Sequence, residues 1–141
     1  MLEMLSEAIG WATLAHSGQV DKAGKPYIEH PLAVMRLVQE EIDKIVAVLH
    51  DVVEDSDITI SNIRHGFGVE VADAVDALTR RPGERPEDYY QRVRRNQIAV
   101  RVKKLDIQHN SAPERLAVLP EPLRNRLSAK YAKALNLLEA A

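Results

Sequence analysis

The segment from Ile45 to Asp55, IVAVLHDVVED, carries the residues whose types and spacing could do chemistry. At about 100° per residue its apolar residues fill one helix face, and His50, Asp51, Glu54 and Asp55 share less than half of the circumference. No lysine or arginine in the segment offsets the carboxylates, so the cluster repels itself unless a cation lies nearby. The pattern indicates a metal site, and the alternative is the solvated acidic face of an amphipathic helix.

Two further residues are candidates to complete such a site, because a His–Asp pair alone does not saturate a first-row metal ion. His30 stands where a loop becomes a helix and could aim inward, although a histidine there can equally be a cap or core residue. Asp106 shares a helix face with Lys103 and Asn110. The alternative at that position is a surface ion pair between Lys103 and Asp106.

The composition is that of one ordinary globular domain. With 45% hydrophobic and 28% charged residues, the 141-residue chain can bury a core, and residues 1–141 are predicted to form a single domain. The chain has no cysteine, which excludes sulfur ligation, so nitrogen and oxygen must hold any metal. A net charge of -2 favours a small-molecule partner over nucleic acid, and the basic residues between 92 and 104 are predicted to form a solvated helix face.

The sequence offers no signal for membrane insertion or secretion. Its apolar stretches reach only about five residues, whereas a membrane span needs about 20. The N-terminus carries Glu3 and Glu7 where a secretory signal needs basic residues. We therefore expect a cytoplasmic protein that has no membrane partner.

The apolar spacing predicts an all-α fold. Apolar residues recur at spacings of three and four, only 4% of the residues are aromatic, and no segment is convincing as a strand. Pro31 suits the first turn of a helix, Thr59 is a predicted N-cap, and the run Arg81-Pro82-Gly83 ends a helix. The predicted helices span residues 2–16, 30–40, 43–55, 59 to 66–68, 69–80, 86–110 and 122–140.

Taken in order, the motifs resemble a known family. The runs AHSGQVDKAGKPYIEHP, LHDVVED, FG, LTR and VKKLDIQHN resemble the HD-domain phosphohydrolases, most closely the hydrolase domain of the RelA/SpoT group and its single-domain relatives. The similarity covers about residues 12–110. It implies a helical bundle that binds a divalent ion, usually manganese. The implied reaction removes pyrophosphate from the 3′ position of guanosine tetra- or pentaphosphate.

The resemblance also implies roles for individual residues. The implied metal ligands are His30, His50, Asp51 and Asp106. Glu54 and Asp55 match the acidic pair that aids attack by water. Lys22 matches a basic residue near the substrate phosphates, and Asn110 matches a polar contact to the nucleotide. Tyr27 is expected to be structural.

Two positions depart from the family pattern. Asp21 stands where guanosine-tetraphosphate hydrolases usually carry an arginine that packs against the base, and a carboxylate cannot provide that stacking. Ala112 and Pro113 stand where relatives tend to place a basic or hydroxyl residue, and Arg115 is the nearby residue that would compensate. The departures keep two alternatives open. One is a phosphomonoesterase acting on another nucleotide, and the other is a binding module that senses a nucleotide without turnover.

Overall fold

The structure of the chain, a computed structural model, describes residues 2–140, so the first and last positions of the predicted domain lie outside the described residues. Residues 2–140 form ten helices: α1 (Leu2–Ala15), α2 (Glu29–Leu37), α3 (Glu41–Leu49), α4 (Val52–Asp55), α5 (Ile60–Phe67), α6 (Val69–Leu78), α7 (Pro86–Arg94), α8 (Gln97–Asn110), α9 (Pro113–Leu116) and α10 (Glu121–Glu139). Extended backbone within this range pairs only at an isolated bridge between Val20 and Pro26. The predicted all-α class is confirmed.

Helix α3 runs through the centre of the core. Its residues Ile45 to Leu49 are completely buried, which a helix can achieve only when neighbours cover every side. Helices α1, α2, α6 and α8 provide that cover. On α1 the buried residues facing the core include Ala8 and Ala12, whose small side chains allow two helices to approach closely. The position of His50, the residue after α3, is therefore fixed by the surrounding helices.

An ion pair joins the beginning of α3 to α8. Asp43 is 3% exposed and accepts two hydrogen bonds from Arg101, 2.7 Å from Nε and 2.9 Å from Nη2. This two-point geometry matches the planar guanidinium to the carboxylate. It compensates the cost of burying the Asp43 charge.

The predicted helix 43–55 is interrupted at His50 and Asp51. The Nδ1 of His50 donates to the carbonyl oxygen of Ala47 at 2.5 Å, and Asp51 adopts φ −104° and ψ 0°, away from ideal helical values. Helix α4 then ends where the hydroxyl of Ser56 donates to the carbonyl of Val52. The prediction of one continuous helix was wrong here because the side chain of His50 hydrogen-bonds to the backbone carbonyl of Ala47. The break redirects Asp51 relative to the regular helix.

The predicted helix 86–110 is likewise two helices. The side chain of Asn96 accepts a hydrogen bond from the Ala99 amide at 2.9 Å and begins α8 as an N-cap, two residues after α7 ends. Helix α9, which begins at Pro113, was not predicted. By contrast, the predicted N-cap Thr59 is confirmed, since it and Asn62 exchange side chain to backbone hydrogen bonds of 3.1 and 2.9 Å.

The other helices follow the prediction apart from their ends. Helix α2 stops three residues early, where Lys44 donates to the carbonyl oxygen of Val38 at 2.7 Å and satisfies a helix end. None of the helices of residues 2–140 combines the length and apolar character that crossing a membrane requires.

Arg92 of α7 holds the turn after α6. Its guanidinium donates to the Thr79 carbonyl at 2.9 Å and to both carboxylate oxygens of Glu84 at 2.7 Å. The carbonyl groups at the end of a helix lack hydrogen-bond donors within the helix, and Arg92 provides such donors here. The hydrogen bonds from Arg92 lower the pKa of Glu84 to about 2. This clamp fixes the segment that carries Arg80.

We predict that Glu84→Gln destabilises the protein at neutral pH by about 1 kcal/mol, since it removes one charge of a two-point ion pair. Folding lowers the pKa of Glu84 from 4.5 to about 2. The ionised carboxylate therefore stabilises the folded state fully above pH 4.5, and this stabilisation is lost as the pH falls towards 2. Urea unfolding of both proteins at pH 7 and pH 3 should therefore show a smaller difference at pH 3. Glu70→Gln, on the exposed side of α6, controls for the loss of one carboxylate. A constant difference would contradict the prediction.

Candidate metal centre and basic cavity

Three buried side chains meet at the end of the bundle where α2 begins. His30, His50 and Asp106 are 2%, 2% and 4% exposed. The Asp106 Oδ1 atom lies 2.6 Å from His30 Nε2 and 3.2 Å from His50 Nε2. One potential ligand atom from each of the three residues lies within 4.8 Å of the other two. Since metal–ligand bonds are about 2.0–2.2 Å long, this spacing fits one divalent ion held by nitrogen and oxygen.

Asp51, the fourth predicted ligand, lies outside this group of three but contacts one of its members, His50. Its Oδ2 atom is 3.1 Å from His50 Nε2, and it accepts a short hydrogen bond from the hydroxyl of Tyr27. Burial opposes ionisation of Asp51, but the neighbouring His50 and the Tyr27 hydrogen bond keep its pKa below the ordinary value. Burial and the Asp51 charge raise the pKa of Tyr27, so Tyr27 remains a donor. Tyr27, expected to be structural, thus orients a candidate ligand.

The proton positions on His50 follow from its partners. A carbonyl oxygen can only accept, so the contact with Ala47 places a proton on Nδ1 and turns Nε2 towards Asp51 and Asp106. Burial opposes a charge on His50, yet the two carboxylates raise its pKa well above 6.5. The same carboxylates would be neutralised by a divalent cation, for which Nε2 is the correctly aimed donor.

Asp106 has two further donors on its own helix. Lys103 Nζ lies 2.9 Å from Oδ2, and Asn110 Nδ2 lies 3.3 Å from Oδ1. Burial would raise the pKa of Asp106, but the charges of Lys103 and His50 hold it well below the ordinary value. Asn110, the predicted nucleotide contact, therefore touches a candidate metal ligand while it also lines a cavity.

His109 is a close neighbour of the centre that sequence reasoning missed. Its Nδ1 atom is 2.7 Å from Nδ1 of His30, and the two rings meet edge to edge with centroids 4.9 Å apart. Burial and the nearby His30 and Arg115 lower the pKa of His109 to about 4. Its position three residues after Asp106 was the available signal, because that spacing places both residues on one helix face.

The predicted catalytic pair lies beside the centre rather than in it. The Glu54 and Asp55 side chains are only partly exposed to solvent, and, like Asp51, they are not among the described residues whose donor atoms lie within reach of one ion. Burial of its carboxyl group and the charge of Asp51 raise the pKa of Glu54. Asp55 accepts a hydrogen bond from Gln19 at 3.2 Å, and Gln19 in turn contacts Nδ1 of the buried His16 at 2.9 Å.

A basic cavity of about 800 Å³ opens beside Asp51 and Asp106. Its basic lining residues are Lys22, Lys25, Arg80, Lys103, Arg115, Lys130 and Lys133. Its larger apolar and aromatic lining residues are Val20, Tyr27, Pro86, Tyr90, Ile107, Leu116, Val118, Leu119, Leu127, Tyr131 and Leu137. Its acidic lining residues, fewer than the basic ones, are Asp21, Asp51, Asp106 and Glu114. Burial, followed by the charges of Lys22 and Arg80, lowers the pKa of Lys130. The cavity therefore combines mutually repelling cations with an apolar wall, which suits an anion that carries a planar apolar group.

The two departures from the family pattern have a structural explanation. Asp21 Oδ1 accepts hydrogen bonds from the amides of Ala23 and Lys25 at 2.9 and 3.0 Å, so it holds the turn of the cavity wall. Its other oxygen lies 3.9 Å from Arg115 of α9. Pro113 occupies the first turn of α9. Ala112 and Pro113 thus begin the short helix that carries Arg115 to the cavity, and Asp21 lies beside that arginine.

The fold and the His–Asp pair define the class of protein. The sequence matches the profile of the HD domain over residues 8–107, which is well over half of the chain. The chain belongs to the HD domain family, as the motifs predicted.

Among curated relatives, the chain is 39% identical over 83 residues to guanosine-3′,5′-bis(diphosphate) 3′-pyrophosphohydrolase of Vibrio cholerae, covering 56% of this chain and 12% of that protein. It is 36% identical over 83 residues to the bifunctional (p)ppGpp synthase/hydrolase SpoT of Escherichia coli strain K12, with the same two coverages. The chain thus spans about 12% of the length of these relatives. Their names therefore describe much longer proteins.

A solved structure confirms the HD-domain helical fold. The protein, described as a metazoan ortholog of SpoT that hydrolyzes ppGpp, superposes with a TM-score of 0.78 at 23% sequence identity. The alignment covers 97% of this chain and 86% of the other.

We predict that a divalent ion raises the melting temperature, because binding at about 100 times the Kd adds roughly 2.7 kcal/mol to folded-state stability. Melting curves in manganese and in chelator should differ for the wild type. In His50→Gln, which removes the ligating imidazole, the two curves should coincide. His65→Gln on the exposed side of α5 is the matched control and should retain the difference. Identical wild-type curves would contradict the metal site.

Proposed function

We propose that the chain is a metal-dependent phosphohydrolase that removes pyrophosphate from the 3′ position of guanosine tetra- or pentaphosphate. The observation that carries the proposal is the buried group of His30, His50 and Asp106 next to the basic cavity. Nitrogen and carboxylate donors suit a divalent ion, and basic side chains suit a polyphosphate. The names of the similar pyrophosphohydrolases supply the substrate.

His30, His50, Asp51 and Asp106 would hold the ion, which we propose to be manganese. When bound, a divalent ion lowers the pKa of water and offsets negative charge on a phosphate. The chain prepares the ligands in advance, since Tyr27 orients Asp51 and the Ala47 carbonyl orients His50. Fixed ligands cost little reorganisation when the substrate arrives.

The basic residues of the cavity would bind the phosphate groups. Lys103 is buried beside Asp106, and Asp106 keeps the pKa of Lys103 above its ordinary value despite that burial. Lys103 therefore stays charged where a phosphate would lie next to the metal ligands. Lys22 and Lys130 line the same cavity and would stabilise the charge of the departing pyrophosphate. Asn110 and the apolar wall would contact the nucleoside.

Glu54 and Asp55 would handle the proton of the attacking water. A carboxylate whose pKa is raised is a better general base near neutral pH than an ordinary one, and burial together with Asp51 gives Glu54 that property. Gln19 holds Asp55 in place by donating to its Oδ2 atom. Glu54 and Asp55 lie three and four residues after Asp51, at the end of α4, so they can assist without filling the coordination sphere.

A phosphomonoesterase acting on another nucleotide is the second candidate. Asp21 favours it, because this carboxylate is engaged with two backbone amides and Arg115 and cannot stack on guanine. Arg115, which lies beside Asp21, and Arg80 are the cavity residues able to supply a planar cation in its place. A nucleotide-sensing module without turnover would have no use for the Glu54–Asp55 pair.

Product analysis distinguishes these functions. With manganese present, we predict release of pyrophosphate from guanosine tetraphosphate, and no release in chelator. Pyrophosphate and orthophosphate are assayed separately over a panel of phosphorylated nucleotides. Orthophosphate from another nucleotide, without pyrophosphate from guanosine tetraphosphate, would establish the phosphomonoesterase instead. Nucleotide binding without either product would establish the sensing module.

The double substitution Glu54→Gln and Asp55→Asn tests the acidic pair. It preserves size and hydrogen bonding but removes the proton acceptors, a role worth about 10²- to 10⁴-fold in rate. We expect kcat to fall at least about 100-fold, or roughly 2.7 kcal/mol of barrier, while the metal-induced rise in melting temperature remains. Glu70→Gln with Asp73→Asn, a pair of exposed carboxylates on α6, is the matched control. Full activity of the first double variant would refute the role, and loss of the ion would make one of the pair a ligand.

A further inference from the structure

We propose that His109 is a positioning residue that sets the tautomer of His30, so that His30 presents its Nε2 atom to the metal ion. This inference rests on the proposed metal-dependent function. The two Nδ1 atoms are 2.7 Å apart, and His30 Nε2 points at Asp106 Oδ1 on the opposite side of its ring, at 2.6 Å. Each nitrogen of His30 therefore has one defined partner.

The protons on these rings can be counted. Two nitrogens at hydrogen-bond distance share a single proton, and an ionised carboxylate can only accept. When His30 Nε2 donates to Asp106, the Nδ1 of His30 must accept from Nδ1–H of His109. When Nε2 uses its lone pair for an ion, Nδ1 of His30 must carry the proton and donate to Nδ1 of His109.

The exchange of partners conserves the number of protons on the pair. One proton leaves Nε2 of His30. The proton between the rings moves from Nδ1 of His109 to Nδ1 of His30, and Nε2 of His109 takes up one proton. His30 is almost fully buried, whereas His109 is only half-buried, so His109 is the member of the pair that can exchange a proton with water. Both histidines stay neutral in each arrangement.

His109 is suited to this role by its position on α8. It lies three residues after Asp106, so one helix supplies a ligand and also the partner that orients another ligand. The rings are inclined by only 25° and meet edge to edge, so the two nitrogens lie close to the line that joins the ring centroids. Without His109, an Nδ1–H on the buried His30 would lose its acceptor, which disfavours the tautomer that binds metal. Loss of such an outer partner typically weakens metal binding by about 10- to 100-fold.

The experiment measures the manganese Kd of the full chain by calorimetry for the wild type, two variants of His109 and one control variant. His109→Leu removes the acceptor and should weaken binding by about 10- to 100-fold. His109→Asn places an amide oxygen near the former Nδ1 position and should restore most of the affinity. His65→Leu, an exposed histidine of α5, should bind as the wild type does. A role in packing alone predicts a lower melting temperature in chelator for His109→Leu with an unchanged Kd, which would overturn the proposal.

Nitrogen-15 NMR of the histidine rings tests the wild type directly and does not depend on the variants folding. Zinc is used as the diamagnetic ion. We expect His30 to change from the Nε2–H to the Nδ1–H tautomer on binding, and His109 to change from Nδ1–H to Nε2–H. A His109 ring whose signals do not respond would overturn the proposal. If the wild type binds neither ion, the proposed function fails as well, whereas equal affinities of wild type and His109→Leu refute the positioning role alone.

Discussion

The buried carboxylate of Asp106 is the constraint around which this end of the bundle is organised. A charge removed from water is tolerated only when hydrogen bonds and opposite charges surround it. The partners of Asp106 are His30, His50, Lys103 and Asn110. The two histidines belong to the start of α2 and the end of α3, so satisfying one carboxylate fixes where three helices meet. The residues around the metal centre and the cavity wall are positioned by the same requirement.

The all-α fold could be predicted from apolar spacing because most helices bury a single face. The two errors of continuity have local causes. At His50 the chain leaves the helix because the imidazole bonds to the Ala47 carbonyl, a contact that depends on the final ring orientation. At Asn96 the side chain caps α8, and this signal was present in the sequence, but the apolar spacing continues through it. Apolar periodicity shows which face of a helix is buried. It does not show where a polar side chain forms a hydrogen bond with a backbone group and so interrupts the helix.

The site was predicted less evenly. The spacing of residues on one helix was enough to place His50 and Asp51 in the same site. His30 and Asp106 are 76 residues apart, and helical periodicity cannot show that two such distant residues meet. The family resemblance indicated that they do. Roles that depend on contacts between distant segments were missed. Among these are the bond from Tyr27 to Asp51, the contact of His109 with His30, and the convergence of basic residues from several helices on one cavity. Asp21 was noted as a departure from the family pattern, and the structure shows that it supports a turn.

The pair formed by Asp43 and Arg101 has a consequence for the spacing between His50 and Asp106. Asp43 lies near the start of α3 and Arg101 in the first half of α8, whereas His50 and Asp106 meet further along the same two helices. The helices therefore run side by side in one direction and are connected at two levels. A slide of one turn, about 5.4 Å, would break both connections at once. His50 and Asp106 therefore keep their relative positions for as long as α3 and α8 stay packed together, and a change in that spacing requires local opening of the bundle.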